Sequence, residues 1–383
     1  MTKWVTPSIE RIQPYQPGTA IEEVARRLGS DAPAEIIKLA SNENPLGPSE
    51  LAVAAAHAEL GRVHRYPESE APALRAALAA HLQVDPAELV LGNGSNELLE
   101  LLVRTFCSGD QHVVFGEPSF VVYRLACLAQ GVPFSAVPLL NYTHDLPAMA
   151  RAVSARTRLV FIANPNNPTG THVGRAALEE FLRVVPQDVL VVLDEAYAEY
   201  AEAADYPDGI ELRRKHPNVV VARTFSKIYG LAGLRVGYAV LRPELADFMH
   251  RVRAPFNVNS VAQAAGVAAL GDRSHVTRSR DLNRSEKAFL SERLRALGLG
   301  VVPSEANFLL VETGRAGAEL YEALLAHGVI VRVVPPLPTM LRITIGTRSE
   351  NERCVAALQT VLGRGRGAHT CGTCGEFFWE ASQ

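Results

Sequence analysis

The chain has 383 residues and a mass of 41.4 kDa, enough to bury a large α/β core, and its length predicts about two domains. Its 38 basic and 41 acidic residues are mixed along the chain and give a formal net charge of −3, which lacks the basic surplus of a nucleic-acid-binding protein and favours a small-molecule partner. No apolar run approaches the roughly 20 residues that span a bilayer, and the start lacks the apolar core of a signal peptide. We therefore expect a soluble, cytoplasmic protein with neither a membrane nor a nucleic acid as partner.

The pattern of the first 44 residues predicts an N-terminal arm that lies across another surface. Proline and glycine punctuate this segment in "QPYQPG" and "SNENPLGP", and its apolar pattern is too weak for a core of its own. We expect residues 1–44 to form an N-terminal arm and a segment of the smaller domain, lying across another surface such as that of a second subunit.

Residues 45–260 predict a large α/β domain. Apolar runs alternate there with helical stretches, and six runs are predicted as strands: "ELVLG", "HVVFG", "RLVFIAN", "VLVVLDE", "NVVVA" and "LRVGYAVL". Continuous runs of this length without polar alternation are typical of strands buried on both faces of a mostly parallel sheet.

The pattern changes after residue 260. Longer amphipathic helices, in "SEKAFLSERLRALG" and "AELYEALLAHG", accompany short strands in "NFLLVE" and "LRITIG", which predicts a small α+β domain over residues 261–363.

We expect residues 364–383 to form a flexible tail. Cys371 and Cys374 have metal-ligand spacing within it, but a zinc site needs four ligands, so we expect no metal. Three other cysteines stand singly in apolar or helical surroundings, which favours buried free thiols: Cys107, Cys127 and Cys354.

Polar residues follow the apolar runs where each predicted strand ends. Ligands of parallel α/β sheets bind beyond the carboxyl ends of the strands, so these residues are candidates for a site. Each also has a structural explanation. "GNGSNELLELL" can be a turn and a helix capped by Ser95 or Asn96, "NPNNPTG" can be a turn, and Asp194 and Glu195 can be strand-end acids facing water. The functional alternative for the first is a phosphate bound at the helix start.

Lys227 is the strongest candidate for chemistry. It follows a buried strand on a bend of small and apolar residues, where a lysine is either solvated or held as an amine nucleophile. Thr224, Ser226 and Arg235 favour the nucleophile, because two hydroxyls and a guanidinium suit an anion beside the amine. With Asp194 on a neighbouring strand, this is the combination that pyridoxal phosphate requires.

The ordered set "SNENPLGP", "GNGSNE", "NPNNPTG", "DEAY", "SK…GLAGLRVGY", "ANFLL" and "LRITIG" resembles the class I/II aminotransferases of fold type I, and within them the histidinol-phosphate aminotransferase branch. The resemblance covers the chain from "PYQPG" to about Leu362. It implies an α/β fold with a mostly parallel seven-stranded sheet and a smaller α+β C-terminal domain. It also implies pyridoxal 5′-phosphate as the cofactor and a homodimer with shared active sites.

The resemblance further implies roles for individual residues. Lys227 would bind the cofactor covalently and move the substrate proton. Asp194 would pair with the pyridine nitrogen, Tyr197 and Asn167 would hydrogen-bond the ring hydroxyl, and Phe120 would stack on the ring. The cofactor phosphate would be bound by Ser95, Asn96, Thr224, Ser226, Arg235 and, from the other subunit, Tyr66.

Substrate recognition in the branch resembles a two-arginine arrangement, which falls here on Arg332 and Arg342. Arg342 stands where the wider family binds the substrate α-carboxylate, and Tyr15 would close over the substrate from the partner chain. The stretch "VRVVPPLPTMLRIT" departs from the branch, since it is proline-rich and shorter than the glycine-containing loop that is common there.

This departure leaves the substrate open. The first interpretation is transamination between histidinol phosphate and 2-oxoglutarate in histidine biosynthesis. The alternatives are an aromatic amino acid aminotransferase and, less favoured, a phosphothreonine decarboxylase. A regulator of aminotransferase shape would need a DNA-binding module, and neither terminus has the basic character for one.

Overall fold

The computed structural model describes residues 4–14, 18–29 and 36–363. Tyr15 and the segment with Cys371 and Cys374 lie outside the described residues. Within the described ranges, no helix is both long enough and apolar enough to cross a membrane.

Strands and helices alternate through most of the chain. The strands are β1 (Ile37–Lys38), β2 (Leu89–Gly92), β3 (His112–Glu117), β4 (Phe134–Pro138), β5 (Thr157–Ala163), β6 (Leu190–Asp194), β7 (Val219–Thr224), β8 (Gly237–Val240), β9 (Gly300–Val301), β10 (Phe308–Glu312), β11 (Val329–Ile330), β12 (Arg332–Val333) and β13 (Met340–Thr344). The helices are α1 (Pro7–Glu10), α2 (Ile21–Leu28), α3 (Glu50–Leu60), α4 (Pro72–Leu82), α5 (Gly94–Phe106), α6 (Val122–Gln130), α7 (Leu146–Ala152), α8 (Arg175–Val184), α9 (Gly209–Lys215), α10 (Pro243–Val252), α11 (Ser260–Gly271), α12 (Arg273–Ala296), α13 (Gly317–Leu325) and α14 (Arg348–Val361).

A seven-stranded sheet with the order β2-β8-β7-β6-β5-β3-β4 forms the centre of the large domain. Strand β8 is antiparallel to both of its neighbours, and every other neighbouring pair is parallel. The predicted fold class, an α/β protein with a mostly parallel seven-stranded sheet, is therefore confirmed. All six runs predicted as strands form strands of this sheet. The seventh strand, β4, lies at the edge and is only partly buried.

The central strands are buried on both faces, which explains their unbroken apolar runs. In β6, Val191 and Leu193 pack into the core on one face, whereas Val192 packs into the core on the other. Each of these three side chains has no exposed surface. A strand covered by helices on both sides has no solvent face, so polar alternation is absent from its sequence.

The smaller domain contains a four-stranded sheet with the order β12-β13-β10-β9. The N-terminal segment joins it, because β1 pairs in parallel with β11 and Leu39 packs into the same core as Leu309 and Leu341. Helix α11 packs instead on α3 and α4, and its Ala262 and Ala265 belong to the core of the large sheet. We therefore propose that the large domain extends through α11, beyond the boundary expected at residue 260.

Candidate active site

Strands β2, β3, β5, β6 and β7 run in the same direction, so their carboxyl ends meet along one edge of the sheet. Ser95, Phe120, Asn167, Tyr197 and Lys227 each follow one of these ends within five residues. The topology thus brings to one edge side chains that are far apart in the sequence, as is usual for ligand sites in open α/β sheets.

Lys227 lies three residues beyond the end of β7, and its side chain is partly buried. Its Nζ donates a hydrogen bond to the backbone oxygen of Ser41 at 3.1 Å and lies 5.7 Å from the centre of the Tyr197 ring. Burial, followed by the nearby positive charge of Arg342, lowers the pKa of the Lys227 amine to about 7. An amine that is partly neutral at physiological pH is a competent nucleophile and base.

Asp194 ends β6 and is 4% exposed. It is therefore not a strand-end acid that faces water, which was the structural alternative for this residue. The Tyr123 hydroxyl donates a hydrogen bond of 2.6 Å to Oδ2, whereas Oδ1 is buried and has no hydrogen-bond partner among the described residues. Burial raises the pKa of the Asp194 carboxyl to about 6, partly offset by the Tyr123 hydrogen bond. A buried oxygen without a partner is costly, which suits a site that is completed by a bound donor.

Glu195, the next residue, forms a structural ion pair. It is 1% exposed, and its Oε2 accepts hydrogen bonds from the guanidinium of Arg223 at 2.8 to 2.9 Å. Glu195 therefore does not face water, which was the structural alternative considered for this residue. Burial raises the pKa of its carboxyl to about 7, and the Arg223 charge opposes this shift.

Two hydroxyls and a guanidinium form a cluster beside Lys227. The Thr224 hydroxyl donates to Ser226 Oγ at 2.9 Å and accepts from the Ser226 backbone N–H at 3.1 Å. Arg235 Nη1 donates to Ser226 Oγ at 3.3 Å, and Arg235 itself has a left-handed backbone with φ of +59°. Backbone strain of this kind is often found at functional sites.

The start of helix α5 lies against this cluster. A Cβ on Gly94 would lie 2.3 Å from Nη2 of Arg235, so only glycine allows the helix start to approach the guanidinium so closely. Gly94 also has a φ of +76°. Ser95 and Asn96 are the second and third residues of the helix, and Asn93 occupies the N-cap position without a side-chain capping bond. Neither Ser95 nor Asn96 is therefore the N-cap. Their N–H groups belong to the first helical turn, which lacks intrahelical acceptors and favours an anion.

Tyr197 and Asn167 contact residues of the N-terminal segment and of the small domain. The Tyr197 phenol oxygen accepts a hydrogen bond of 2.9 Å from Asn42 Nδ2, and its ring packs edge-on against Phe308. Asn167 Oδ1 accepts a hydrogen bond of 2.6 Å from Arg342 Nη1. Asn167 thus lies in contact with one of the two arginines predicted to bind substrate.

Arg332 and Arg342 lie directly opposite each other on the antiparallel strands β12 and β13. Opposed residues of such a pair lie on the same face, and two like charges there are destabilising unless an anion or another acceptor compensates them. Arg342 is 9% exposed and also donates to the Ala40 backbone oxygen. A side chain at Gly18 would lie 3.8 Å from Arg332 Nη1, which places the N-terminal arm beside this pair.

The two aromatic residues predicted to contact the cofactor ring and its phosphate, Phe120 and Tyr66, differ in their exposure. Phe120 is partly buried and packs edge-on against Tyr123, with ring centres 6.0 Å apart. Tyr66 is 83% exposed on the surface and stacks on Phe256 with ring centres 4.8 Å apart.

The described residues fit pyridoxal phosphate at three points. Lys227 provides an amine, Asp194 provides a buried carboxylate oxygen that lacks a partner, and the cluster at the start of α5 provides an anion site. Sequence reasoning missed Tyr123 and Asn42, although Asn42 is the first asparagine of "SNENPLGP", a motif that was singled out.

Comparisons with known proteins identify the family to which this chain belongs. The family "Aminotransferase class I and II" matches residues 34–358. A histidinol-phosphate aminotransferase of Anaeromyxobacter sp. is 54% identical over 94% of this chain and 99% of its own length. Histidinol-phosphate aminotransferase 2 of Pseudomonas fluorescens is 50% identical over 94% of this chain and 97% of its own. Among solved structures, histidinol-phosphate aminotransferase from Sinorhizobium meliloti, in complex with pyridoxal-5′-phosphate, has a TM-score of 0.85 and 29% identity and covers 95% of this chain and 98% of its own.

Proposed function

Since the chain belongs to the class I and II aminotransferase family, we propose that it transfers the amino group of histidinol phosphate to 2-oxoglutarate, with pyridoxal 5′-phosphate as the cofactor. Similarity over nearly the whole chain to histidinol-phosphate aminotransferases supports this amino donor. The structural observation that carries the proposal is that Arg332 lies opposite Arg342 on the neighbouring strand, and Arg342 is close enough to Lys227 for its charge to act on the amine.

The bound cofactor supplies an electron sink for the negative charge that develops at the substrate carbon. Lys227 would hold the cofactor through its amine, and the same amine would move the proton to and from the substrate carbon. A pKa of about 7 suits this exchange, because the amine can both accept and donate a proton near neutral pH. Asp194 pairs through Oδ1 with the ring nitrogen and stabilises its protonated form.

The remaining predicted residues anchor and orient the cofactor in this proposal. Tyr197 and Asn167 hydrogen-bond the ring hydroxyl, and Phe120 stacks on the ring. The phosphate is bound by the helix start and the hydroxyl cluster: Ser95, Asn96, Thr224, Ser226 and Arg235.

Two arginines suit a donor that carries a phosphate and lacks an α-carboxylate. A phosphate dianion has enough charge and acceptor oxygens for two guanidinium groups, and each charge-assisted contact contributes about 1.5 to 3 kcal/mol. A single carboxylate can be held by Arg342 alone. The second substrate, 2-oxoglutarate, has two carboxylates and can engage the same pair in the second half-reaction.

We propose that the active unit is a homodimer whose subunits share their sites. The exposed Tyr66, stacked on Phe256, is available to reach the cofactor phosphate of the partner subunit. Tyr15 lies outside the described residues, and we propose that it closes the substrate site from the partner chain. A cytoplasmic location fits the three described cysteines, which are free and buried thiols as the sequence predicted.

Half-reactions with single amino donors test the donor assignment. The purified holoenzyme is mixed with histidinol phosphate, phenylalanine, tyrosine or phosphothreonine, and the absorbance change from the lysine-bound to the aminated cofactor is followed. We expect histidinol phosphate to react with the highest ratio of rate to dissociation constant. Arg332→Ala should reduce that ratio about tenfold or more for histidinol phosphate and much less for phenylalanine.

Arg293→Ala is the matched control, because it removes an exposed guanidinium from α12 that packs over Phe289. It should leave every half-reaction unchanged. Equal losses with both donors in the Arg332 variant, or a preference of the unmodified enzyme for phenylalanine, would favour an aromatic amino acid aminotransferase. Release of carbon dioxide from phosphothreonine would favour a decarboxylase.

A further inference from the structure

Asn42 connects the tyrosine of the active site to the strand that carries Arg342. Its Nδ2 donates to the Tyr197 phenol oxygen at 2.9 Å, and its Oδ1 accepts from the Thr344 hydroxyl at 3.1 Å. Thr344 lies two residues after Arg342 on β13, and residues two apart on a strand share a face. The side chain of Asn42 therefore bridges the large domain and the substrate-binding strand of the small domain.

The surroundings of Asn42 fix which end of its amide faces the tyrosine. The Thr344 hydroxyl oxygen accepts the backbone N–H of Asn42 at 2.9 Å, so the hydroxyl hydrogen is available to donate to Oδ1. The opposite end of the amide, Nδ2, then faces Tyr197. Asn307 Nδ2 donates to the backbone oxygen of Asn42 at 3.1 Å and holds the peptide in place.

The backbone of Asn42 is built for this position. Its φ of +56° lies in the left-handed region, which asparagine and glycine tolerate best, and the residue is 1% exposed. The neighbouring carbonyl groups also face the site, because Ala40 accepts from Arg342 and Ser41 accepts from Lys227.

We propose that Asn42 is a positioning residue that directs the hydroxyl hydrogen of Tyr197 toward the ring oxygen of the cofactor. This inference rests on the proposed function, in which Tyr197 hydrogen-bonds that ring oxygen. A phenol has a single hydrogen, and the Asn42 N–H already donates to its oxygen. The phenol hydrogen therefore cannot be donated to Asn42 and must be donated elsewhere.

Donation of this hydrogen would change the pKa of the lysine nitrogen that binds the cofactor. When that proton leaves, negative charge on the ring oxygen loses its nearest partner, and a hydrogen bond from Tyr197 stabilises the charge. The hydrogen bond therefore lowers the pH at which the lysine-bound cofactor loses its proton. If Asn42 no longer directs the Tyr197 hydrogen toward the cofactor, that pH should rise.

Two substitutions of Asn42 separate its effect on the direction of the Tyr197 hydroxyl hydrogen from the effect of its packing. Asn42→Gly keeps the left-handed backbone without strain and removes the donor. Asn42→Asp keeps an acceptor toward Thr344 but places a carboxylate oxygen against Tyr197, which would draw the phenol hydrogen away from the cofactor. The pH midpoint of the cofactor absorbance change, measured on the holoenzyme, should rise by about one unit in Asn42→Asp and by less in Asn42→Gly. The cofactor dissociation constant should rise about threefold to tenfold in both.

A double-substitution cycle shows whether Asn42 acts through the tyrosine. Tyr197→Phe alone should raise the midpoint, and adding Asn42→Gly to it should cause no further shift. Asn218→Ala is the control for a purely structural loss, since Asn218 is 2% exposed and its Nδ2 donates to the backbone oxygen of Val189 far from these residues. It should lower thermal stability and leave the midpoint unchanged.

The outcomes distinguish the inference from the proposed function. An unchanged midpoint in both Asn42 variants, with a raised midpoint in Tyr197→Phe, would overturn the role of Asn42 alone. An equal shift from Asn42→Gly with and without the Tyr197 hydroxyl would also overturn it, because Asn42 would then act by another route. An unchanged midpoint in Tyr197→Phe would overturn the assignment of Tyr197 and, with it, the role of Asn42.

Discussion

The ionisation of Lys227 in the cofactor-free protein gives a direct test of the site. Burial and the charge of Arg342 lower the pKa of this amine from 10.5 to about 7. At pH 7 about half of the amine is then neutral, whereas at a pKa of 10.5 only roughly one in 3,000 would be. Because only the neutral amine reacts with electrophiles, we expect Lys227 to be labelled far faster at neutral pH than exposed lysines.

Competitive labelling with an amine-specific anhydride, followed by peptide mapping, measures this pKa. The rate at Lys227 should rise about tenfold per pH unit below pH 7 and level off above it. Lys215, an exposed lysine paired with Glu211, serves as the reference in the same map. Arg342→Met keeps much of the side-chain bulk and removes the charge, so it should raise the midpoint. A rate at Lys227 that still rises above pH 9 would refute the reasoning.

The same pKa predicts the pH dependence of stability. A lysine whose pKa is lowered by folding is charged in the unfolded chain and neutral in the native protein between about pH 7 and 10.5. The unfolded chain binds more protons in this window, so the free energy of unfolding rises with pH there. Lys227→Met should remove this dependence. The difference in unfolding free energy between the two proteins should therefore change with pH across the window and be constant below it.

Three other experiments test the anchoring of the cofactor and the shared site. Gly94→Ala would meet a guanidinium at 2.3 Å and should weaken cofactor binding about tenfold in equilibrium dialysis, whereas Gly109→Ala has a φ of +57° with open space around it and should not. Tyr123→Phe removes the hydroxyl that holds the carboxylate at the end of β6, so the pKa of that carboxyl should rise and turnover at pH 7 should fall up to about tenfold. Mixed chains of Lys227→Ala and an inactive Tyr66 variant should restore activity at about a quarter of the sites, and a fully active monomer would contradict this.

The large sheet was predictable because its physical cause is local. Buried parallel strands require unbroken apolar runs, and six such runs could be recognised without knowledge of their partners. Strand β4, "FSAVP", lies at the sheet edge with only Val137 fully buried, so its run is short and weak. Helix α11 is rich in alanine and begins at the boundary expected at residue 260, and only its packing on α3 and α4 supports our proposal that it belongs to the large domain.

The site was predictable where its residues follow the strand ends. Thr224, Ser226 and Lys227 lie on one bend, and Asp194 ends the adjacent strand, so local sequence was enough to suggest their cooperation. Tyr123 contacts Asp194 across 71 residues, and Asn42 contacts Tyr197 across 155. Such pairs depend on tertiary packing, and a single sequence carries no sign of them.

We propose that the charge of Arg342 links substrate binding to proton transfer. In the described structure its guanidinium lowers the pKa of Lys227, which favours the neutral amine that binds the cofactor. In the proposed function, an anionic substrate on Arg342 would offset this charge and thereby raise the pKa of the amine, at the stage when the amine would accept a proton from the substrate carbon. The same guanidinium thus favours a nucleophilic lysine before substrate arrives and a more basic one afterwards. Because this effect needs a full positive charge close to Lys227, a neutral residue at position 342 would impair both steps even for a substrate that binds tightly.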